Sequence, residues 1–152
     1  MGKRIIGKNE YEVEERIMFQ QEILFWTENP RVYSVLRENG NDNPSQSEIE
    51  ALMKTTENVK ELKVQIEQNG GLIEPLTVVR RGDDYVAIEG NSRLAAYRIL
   101  AEGNPTRWSK LSVNVLPETI TDTELFIYVG TIHLVKKKDW TVFEQAAYVY
   151  RQ

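Results

Sequence analysis

Leu76-Thr77-Val78-Val79-Arg80-Arg81-Gly82-Asp83-Asp84-Tyr85-Val86-Ala87-Ile88-Glu89-Gly90-Asn91-Ser92-Arg93 decides how the chain is read. Its first five residues are rich in β-branched side chains and predict a strand. Gly82-Asp83-Asp84 supplies a tight turn, and Tyr85-Val86-Ala87-Ile88 predicts the returning strand of a hairpin. Gly90-Asn91-Ser92 then marks a change from strand to helix, with Leu94, Ala95, Ile99 and Leu100 facing inward. A helix start leaves backbone N–H groups unpaired and carries partial positive charge. Gly90 lets a bound group approach the backbone there, and Arg93 in the first turn offers a fork suited to phosphate oxygens. The residues alone equally allow a structural reading, in which Asn91 or Ser92 caps the helix and Arg93 pairs with a surface carboxylate. Glu89 has two readings as well: a base or a water-mediated Mg²⁺ ligand, or a strand-end partner of Arg93. Asp83 and Asp84 read as hairpin residues and not as a nuclease metal pair.

Upstream, a helix fits Glu57 to Gln68, with Val59, Leu62 and Ile66 on one face, and Asn69-Gly70-Gly71 stops it. Ser45 with Glu48, or Ser47 with Glu50, forms a capping box for a shorter helix that runs to about Lys54. Residues 37–47 are a polar turn cluster, expected to be a flexible loop. The first 26 residues give no clear element, because Val13, Ile17 and Phe19 are mixed with charges; within them Ile23-Leu24-Phe25-Trp26 reads as a short buried segment. Glu28-Asn29-Pro30-Arg31 breaks it. Downstream, Gly103-Asn104-Pro105 ends the helix after Gly90. Leu111-Ser112-Val113-Asn114-Val115-Leu116 alternates as a half-buried strand closed by Pro117, and residues 122–135 predict a further helix. Thr141 and Glu144 form a capping box for a last helix, anchored in the core by Trp140 and Phe143. No glycine or proline stops it, so the natural protein is expected to continue past Gln152, or the helix to need a partner.

The composition narrows the chemistry. At 152 residues, with 41% hydrophobic and 28% charged residues, the chain can bury a core as one domain. It has no cysteine, which excludes disulfides, Cys-ligated zinc or iron–sulfur sites and a thiol nucleophile. With His133 the only histidine, sites that need several are excluded too. No apolar run approaches the ~20 residues of a membrane span. The start, Met1 to Arg16, lacks the apolar stretch of a signal peptide, so a cytoplasmic location is expected.

A resemblance sharpens the reading. Gly71-Leu72-Ile73-Glu74-Pro75-Leu76-Thr77-Val78, followed by Tyr85-Val86-Ala87-Ile88-Glu89-Gly90-Asn91-Ser92-Arg93-Leu94-Ala95-Ala96, resembles the ParB/sulfiredoxin-like superfamily. In that family a Gly-Leu-Ile-x-Pro-Leu-x-Val segment and a hairpin lead to Gly-x-x-Arg at a helix start. Asn29-Pro30-Arg31 resembles the family's upstream Asn-Pro element, and residues 131–148 its downstream helix. The resemblance implies an α+β fold, a small mixed sheet with packed helices, over residues 1–152 as one ParB N-terminal-like domain with an insertion at 37–47. In chromosome-partitioning members the helix start reads Gly-Glu-Arg-Arg and holds the triphosphate of CTP. Here it reads Gly90-Asn91-Ser92-Arg93, keeping the glycine and the last arginine. The family's Glu-Asn-x-Gln-Arg phosphate and metal motif falls near His133-Leu134-Val135-Lys136-Lys137, where only basic character remains. In sulfiredoxins a cysteine nucleophile follows the glycine. Asn91 stands in its place, which excludes that activity.

The resemblance therefore implies a nucleotide-binding domain of a DNA-associated regulatory, partitioning or mobile-element protein, bacterial or phage. Its ligand would be a nucleoside triphosphate, CTP or ATP, with Mg²⁺ offsetting the charge. Gly90, Asn91, Ser92 and Arg93 would hold phosphate, with His133, Lys136 and Lys137 in support. Glu74 would face base or sugar, and Glu89 would serve metal or act as catalytic base. Partners would be the nucleotide, DNA through regions beyond this chain, and a second copy of the chain. Three alternatives stand beside this: an interaction module without ligand, an ATPase, triphosphatase or phosphotransferase using Glu89, and a DNA-binding or nuclease domain. The net charge of −4 disfavours the last, because phosphate neutralisation needs a basic face. Duplex DNA is accordingly expected to bind this chain only in the weak non-specific range of roughly 10⁻⁴–10⁻⁶ M. A nanomolar, sequence-selective shift in a gel mobility assay at physiological salt would put the DNA-binding reading first.

Overall fold

The structure, a computed structural model, describes residues 2–27, 40, 44–72 and 74–135. Six strands form one mixed sheet. They are β1 (Gly2–Ile6), β2 (Asn9–Phe19), β3 (Ile23–Phe25), β4 (Leu76–Arg81), β5 (Asp84–Glu89) and β6 (Lys110–Leu116). Across the sheet the order is β1-β2-β6-β4-β5-β3. The strand pairs β1–β2, β2–β6 and β4–β5 are antiparallel, whereas β4–β6 and β3–β5 are parallel. The helices are α1 (Gln46–Lys54), α2 (Glu57–Asn69), α3 (Asn91–Gly103) and α4 (Asp122–Val135). The expected α+β fold with a small mixed sheet and packed helices is observed, as are the hairpin at 76–88, the helix from Asn91 and the strand at 111–116. The last helix, with Trp140 and Phe143, lies outside the described residues, as does most of the loop expected at 37–47.

Two hairpins share one construction. Gly7-Lys8 joins β1 to β2 and Gly82-Asp83 joins β4 to β5, each as a two-residue loop. The glycine takes φ of +63° in the first and +62° in the second, the positive value that such loops require at their first position. β4 is central, and Leu76, Thr77, Val78 and Val79 are buried in succession because both of its faces are covered. On one face Leu76, Val78, Ala87, Val113 and Val115 pack with Ile49 and Met53 of α1, Val59 and Ile66 of α2, and Leu94 and Leu100 of α3. On the other, Ile6, Val13, Val79, Ile88 and Leu116 pack with Leu125 and Val129 of α4. Each buried branched side chain of this kind contributes roughly 1.5–3 kcal/mol.

Caps and polar side chains position the helices. Ser45 and Glu48 form the capping box that starts α1, and the Thr56 hydroxyl accepts from the Val59 N–H to start α2. Gly70, at φ +84°, ends α2 in the left-handed conformation. The carboxamide of Gln46 bridges the edge strand: it accepts from the Phe25 N–H (2.7 Å) and donates to the Phe25 carbonyl (2.8 Å). Arg98 of α3 donates to the Ile23 carbonyl at 2.5 Å and lies over the Phe25 ring. Its burial pulls its pKa down, and Glu50 opposes that fall.

Glu124 joins the β1–β2 hairpin to α4. It accepts from the Tyr11 hydroxyl (2.5 Å), the Asn9 side-chain amide (2.9 Å) and the Thr121 N–H (3.0 Å), while its own N–H donates to Thr121. These donors, the Tyr11 hydroxyl foremost, draw its carboxyl from 4.5 down to about 2. A carboxyl with a depressed folded-state pKa stabilises the fold above its unfolded value and loses that contribution as pH falls through the folded one. Glu124→Gln is therefore expected to be less stable than the parent at neutral pH, with the difference shrinking between about pH 4.5 and about pH 2. Chemical unfolding across that range checks it; a difference that stays constant with pH would contradict this role.

Candidate functional site

The strand-to-helix turn after β5 is shaped by a glycine with no alternative. Gly90 sits at φ +96°. A Cβ there would meet Leu76 Cδ2 at 2.3 Å and the Arg93 guanidinium at 2.9 Å. The backbone thus turns in a conformation that L side chains avoid, directly against the first residue of the central strand. Gly90 occupies the N-cap position of α3 and brings no side-chain cap. Among the described residues the other three α-helices begin on Ser45, Thr56 and Thr121, whose hydroxyls accept a first-turn N–H. The first amides of α3 are left to another acceptor, which is the condition for an anion site.

Asn91 does not extend into that opening. It is buried, accepts from the Trp26 N–H at 3.0 Å and donates to the Ala87 carbonyl at 2.8 Å. It holds the end of β3, strand β5 and the start of α3 together. Ser92 is half-buried beside it. Arg93 folds back over the turn. Its Nη2 donates to both Glu89 oxygens, at 2.9 and 2.8 Å, and its Nη1 donates to the Glu74 carbonyl at 2.7 Å. The side chains of Arg93 and Glu89 are 16% and 18% exposed, so the ion pair is largely shielded from solvent. Glu74 is exposed, and its backbone rather than its carboxylate engages Arg93.

The structure therefore brings Glu74, Glu89, Gly90, Asn91, Ser92 and Arg93 to one turn. His133 lies in the last turn of α4. Lys136 and Lys137 lie outside the described residues. Sequence reasoning missed Trp26 and Leu76 as parts of this turn. Trp26 is 65 positions from Asn91, and its contribution is a backbone N–H, which no side-chain pattern signals. Among the described residues no three His, Asp or Glu side chains cluster as a metal site. Mg²⁺ usually takes one or two carboxylates plus substrate phosphates. Glu89, a carboxylate just before the start of α3, fits the carboxylate part of that donor set and would be the residue to hold it.

This mixed α/β architecture has a ParB-like fold. Among solved structures the chain is similar to the C-terminally truncated chromosome-partitioning protein ParB from Caulobacter crescentus, complexed with CTP-γ-S. The sequences are 15% identical, the TM-score is 0.52, and the match covers 81% of this chain and 53% of that one. The chain thus spans about half the length of that structure. No protein-family model and no curated protein matches the sequence. Among the described residues no helix is long and apolar enough to cross a membrane.

The geometry assigns a structural cost to two of the turn residues. Gly90→Ala is expected to lose about 1–2 kcal/mol from the left-handed backbone alone, and more from the clash with Leu76. Asn91→Ala would leave the Trp26 N–H and Ala87 carbonyl unpaired, at about 1–3 kcal/mol for each buried group. Urea unfolding of the two variants measures both. Parental stability in Asn91→Ala would show that water, not the carboxamide, satisfies those groups.

Proposed function

We propose that this chain is a nucleotide-binding domain of a DNA-associated regulatory, partitioning or mobile-element protein, with a triphosphate received at the turn of Gly90 to Arg93. One observation carries the reading: α3 starts on an uncapped left-handed glycine with a first-turn arginine over it. The ParB-like fold supports it, because the Caulobacter neighbour was solved with CTP-γ-S.

On this reading the first-turn amides and the helix dipole attract the phosphate chain. Arg93 turns its guanidinium from the Glu74 carbonyl and Glu89 towards phosphate oxygens. Mg²⁺, when bound, neutralises phosphate charge, and Glu89 is the carboxylate placed to ligate it. Asn91 orients the turn without touching the ligand, and Glu74 stands at the rim, where base or sugar would lie. Lys136 and Lys137, which follow α4 in sequence, add positive charge, and His133 precedes them as a further hydrogen-bonding group. DNA engagement through regions beyond this chain, and pairing with a second copy, belong to the same proposal.

A second reading is favoured by a specific observation. All three hydrogen bonds of Arg93 go to this chain's own Glu89 and Glu74. The turn can stand as a structural joint in an interaction module with no ligand.

The two readings part in one experiment. A thermal-shift screen with CTP, ATP, GTP and UTP plus Mg²⁺ is expected to raise the melting temperature with at least one of them, since a ligand that binds only the folded state must do so. A charged hydrogen bond is worth about 1.5–3 kcal/mol. Arg93→Ala, checked for folding by circular dichroism, is therefore expected to weaken that nucleotide by about ten- to a hundredfold. The exposed Lys60→Ala is expected to change it little. No shift at millimolar nucleotide, or unchanged affinity in folded Arg93→Ala, would leave the interaction module as the function.

A further inference from the structure

We infer that Glu89 is the specificity-determining residue of this turn: an internal carboxylate that occupies Arg93 and restricts the site to polyphosphates presented with a divalent cation. The inference rests on the nucleotide reading above and names the ligand form that the site accepts.

The Glu89 carboxylate already holds the place of an anion. Both its oxygens receive Arg93 Nη2, at 2.9 and 2.8 Å, four residues apart across the helix start. The guanidinium rests against Gly90, 2.9 Å from where a Cβ would stand, and so covers the backbone that an incoming phosphate must approach. The pair is shielded on both sides, with Glu89 18% exposed. A free anion that took Arg93 would leave the Glu89 carboxylate poorly hydrated, without its cation and beside a new negative charge. Each of these effects opposes binding, and they act together.

A divalent cation removes the conflict. The carboxylate is a hard oxygen donor and can pass from Arg93 to the metal. The guanidinium is then free for a phosphate oxygen, and the metal holds other oxygens of the same chain. Each charge exchanges one partner for another and none is stranded. A polyphosphate has enough oxygens to serve the metal, Arg93 and the first-turn amides at once. A single phosphate serves fewer of them. Glu89 thereby makes cation and polyphosphate binding interdependent at this turn, a coupling that must act equally in both directions.

Isothermal titration of ATP and CTP into the parent and Glu89→Gln, each with Mg²⁺ and with EDTA, tests this. The parent is expected to bind at least about tenfold more weakly in EDTA. Glu89→Gln is expected to bind metal-free triphosphate about tenfold more tightly than the parent does, and to gain less than about threefold from Mg²⁺. Glu89→Asp keeps a metal ligand but shortens the reach to Arg93. It should gain several-fold in EDTA while retaining the response to Mg²⁺, and it serves if the glutamine variant does not fold. The same Mg²⁺ gain in Glu89→Gln as in the parent, or no tighter metal-free binding in either variant, overturns the inference and leaves the nucleotide site standing. Absence of triphosphate binding in parent and variants under every condition overturns the nucleotide reading itself.

Discussion

The buried carboxamide of Asn91 is the constraint on which the strand-to-helix turn and the elements around it depend. One short side chain satisfies the N–H of Trp26 and the carbonyl of Ala87, and thereby fixes where β3 ends, where β5 runs and where α3 begins. Asparagine suits the position because it presents a donor and an acceptor on one planar group. Aspartate would supply no donor, and alanine would supply neither. Trp26, whose backbone is held in this way, packs its ring at 5.8 Å from Phe126 of α4. The joint therefore reaches both layers of the molecule: α3 on one face of the sheet and α4 on the other.

Around that joint, charge is balanced locally. α3 begins without the hydroxyl cap that its neighbours have, yet its first turn carries an arginine, an unfavourable sign at a helix N-terminus. Glu89, at the end of β5, answers that positive charge from the strand side. The turn thus neutralises its own arginine, which offsets the unfavourable charge at this helix start. The strand, the glycine and the helix set the geometry of the turn, and the pairing of Glu89 with Arg93 closes it with two hydrogen bonds.

Much of this was legible in the sequence. The β-branched run at 76–79, the glycine-led turn and the glycine before Asn91 are local signals, and each produced its element. Arg93 and Glu89 are four residues apart, so their pairing is one of the two roles the sequence allows them. The β1–β2 hairpin was not legible. Val13 faces the core under α4, whereas Met18 faces the core under the other three helices. A strand that serves two cores in turn loses the steady alternation by which strands are recognised. Ile17 is 71% exposed, and charges fill most of the remaining positions, so β2 reads as a polar stretch. The bond between Trp26 and Asn91 and the contact of Leu76 with Gly90 were hidden for a different reason. They join segments remote in the chain through backbone or methyl groups that carry no chemical label.

The short edge strand β3 has a consequence of its own. A parallel edge strand turns the N–H and carbonyl of alternate residues outward, where another chain can pair with them. At Phe25 both groups are taken by the Gln46 carboxamide. At Ile23 the carbonyl receives Arg98 and the N–H returns to the Gln20 carbonyl. The sheet is thus sealed on this side by its own side chains, with one amide imitating a neighbouring strand. Among the described residues, the border left for self-assembly by strand addition, whether productive or pathological, is the far one at β1. The molecule has a polarity in how it can grow: one margin is closed to recruitment, and it is the margin next to the turn where a ligand would be held.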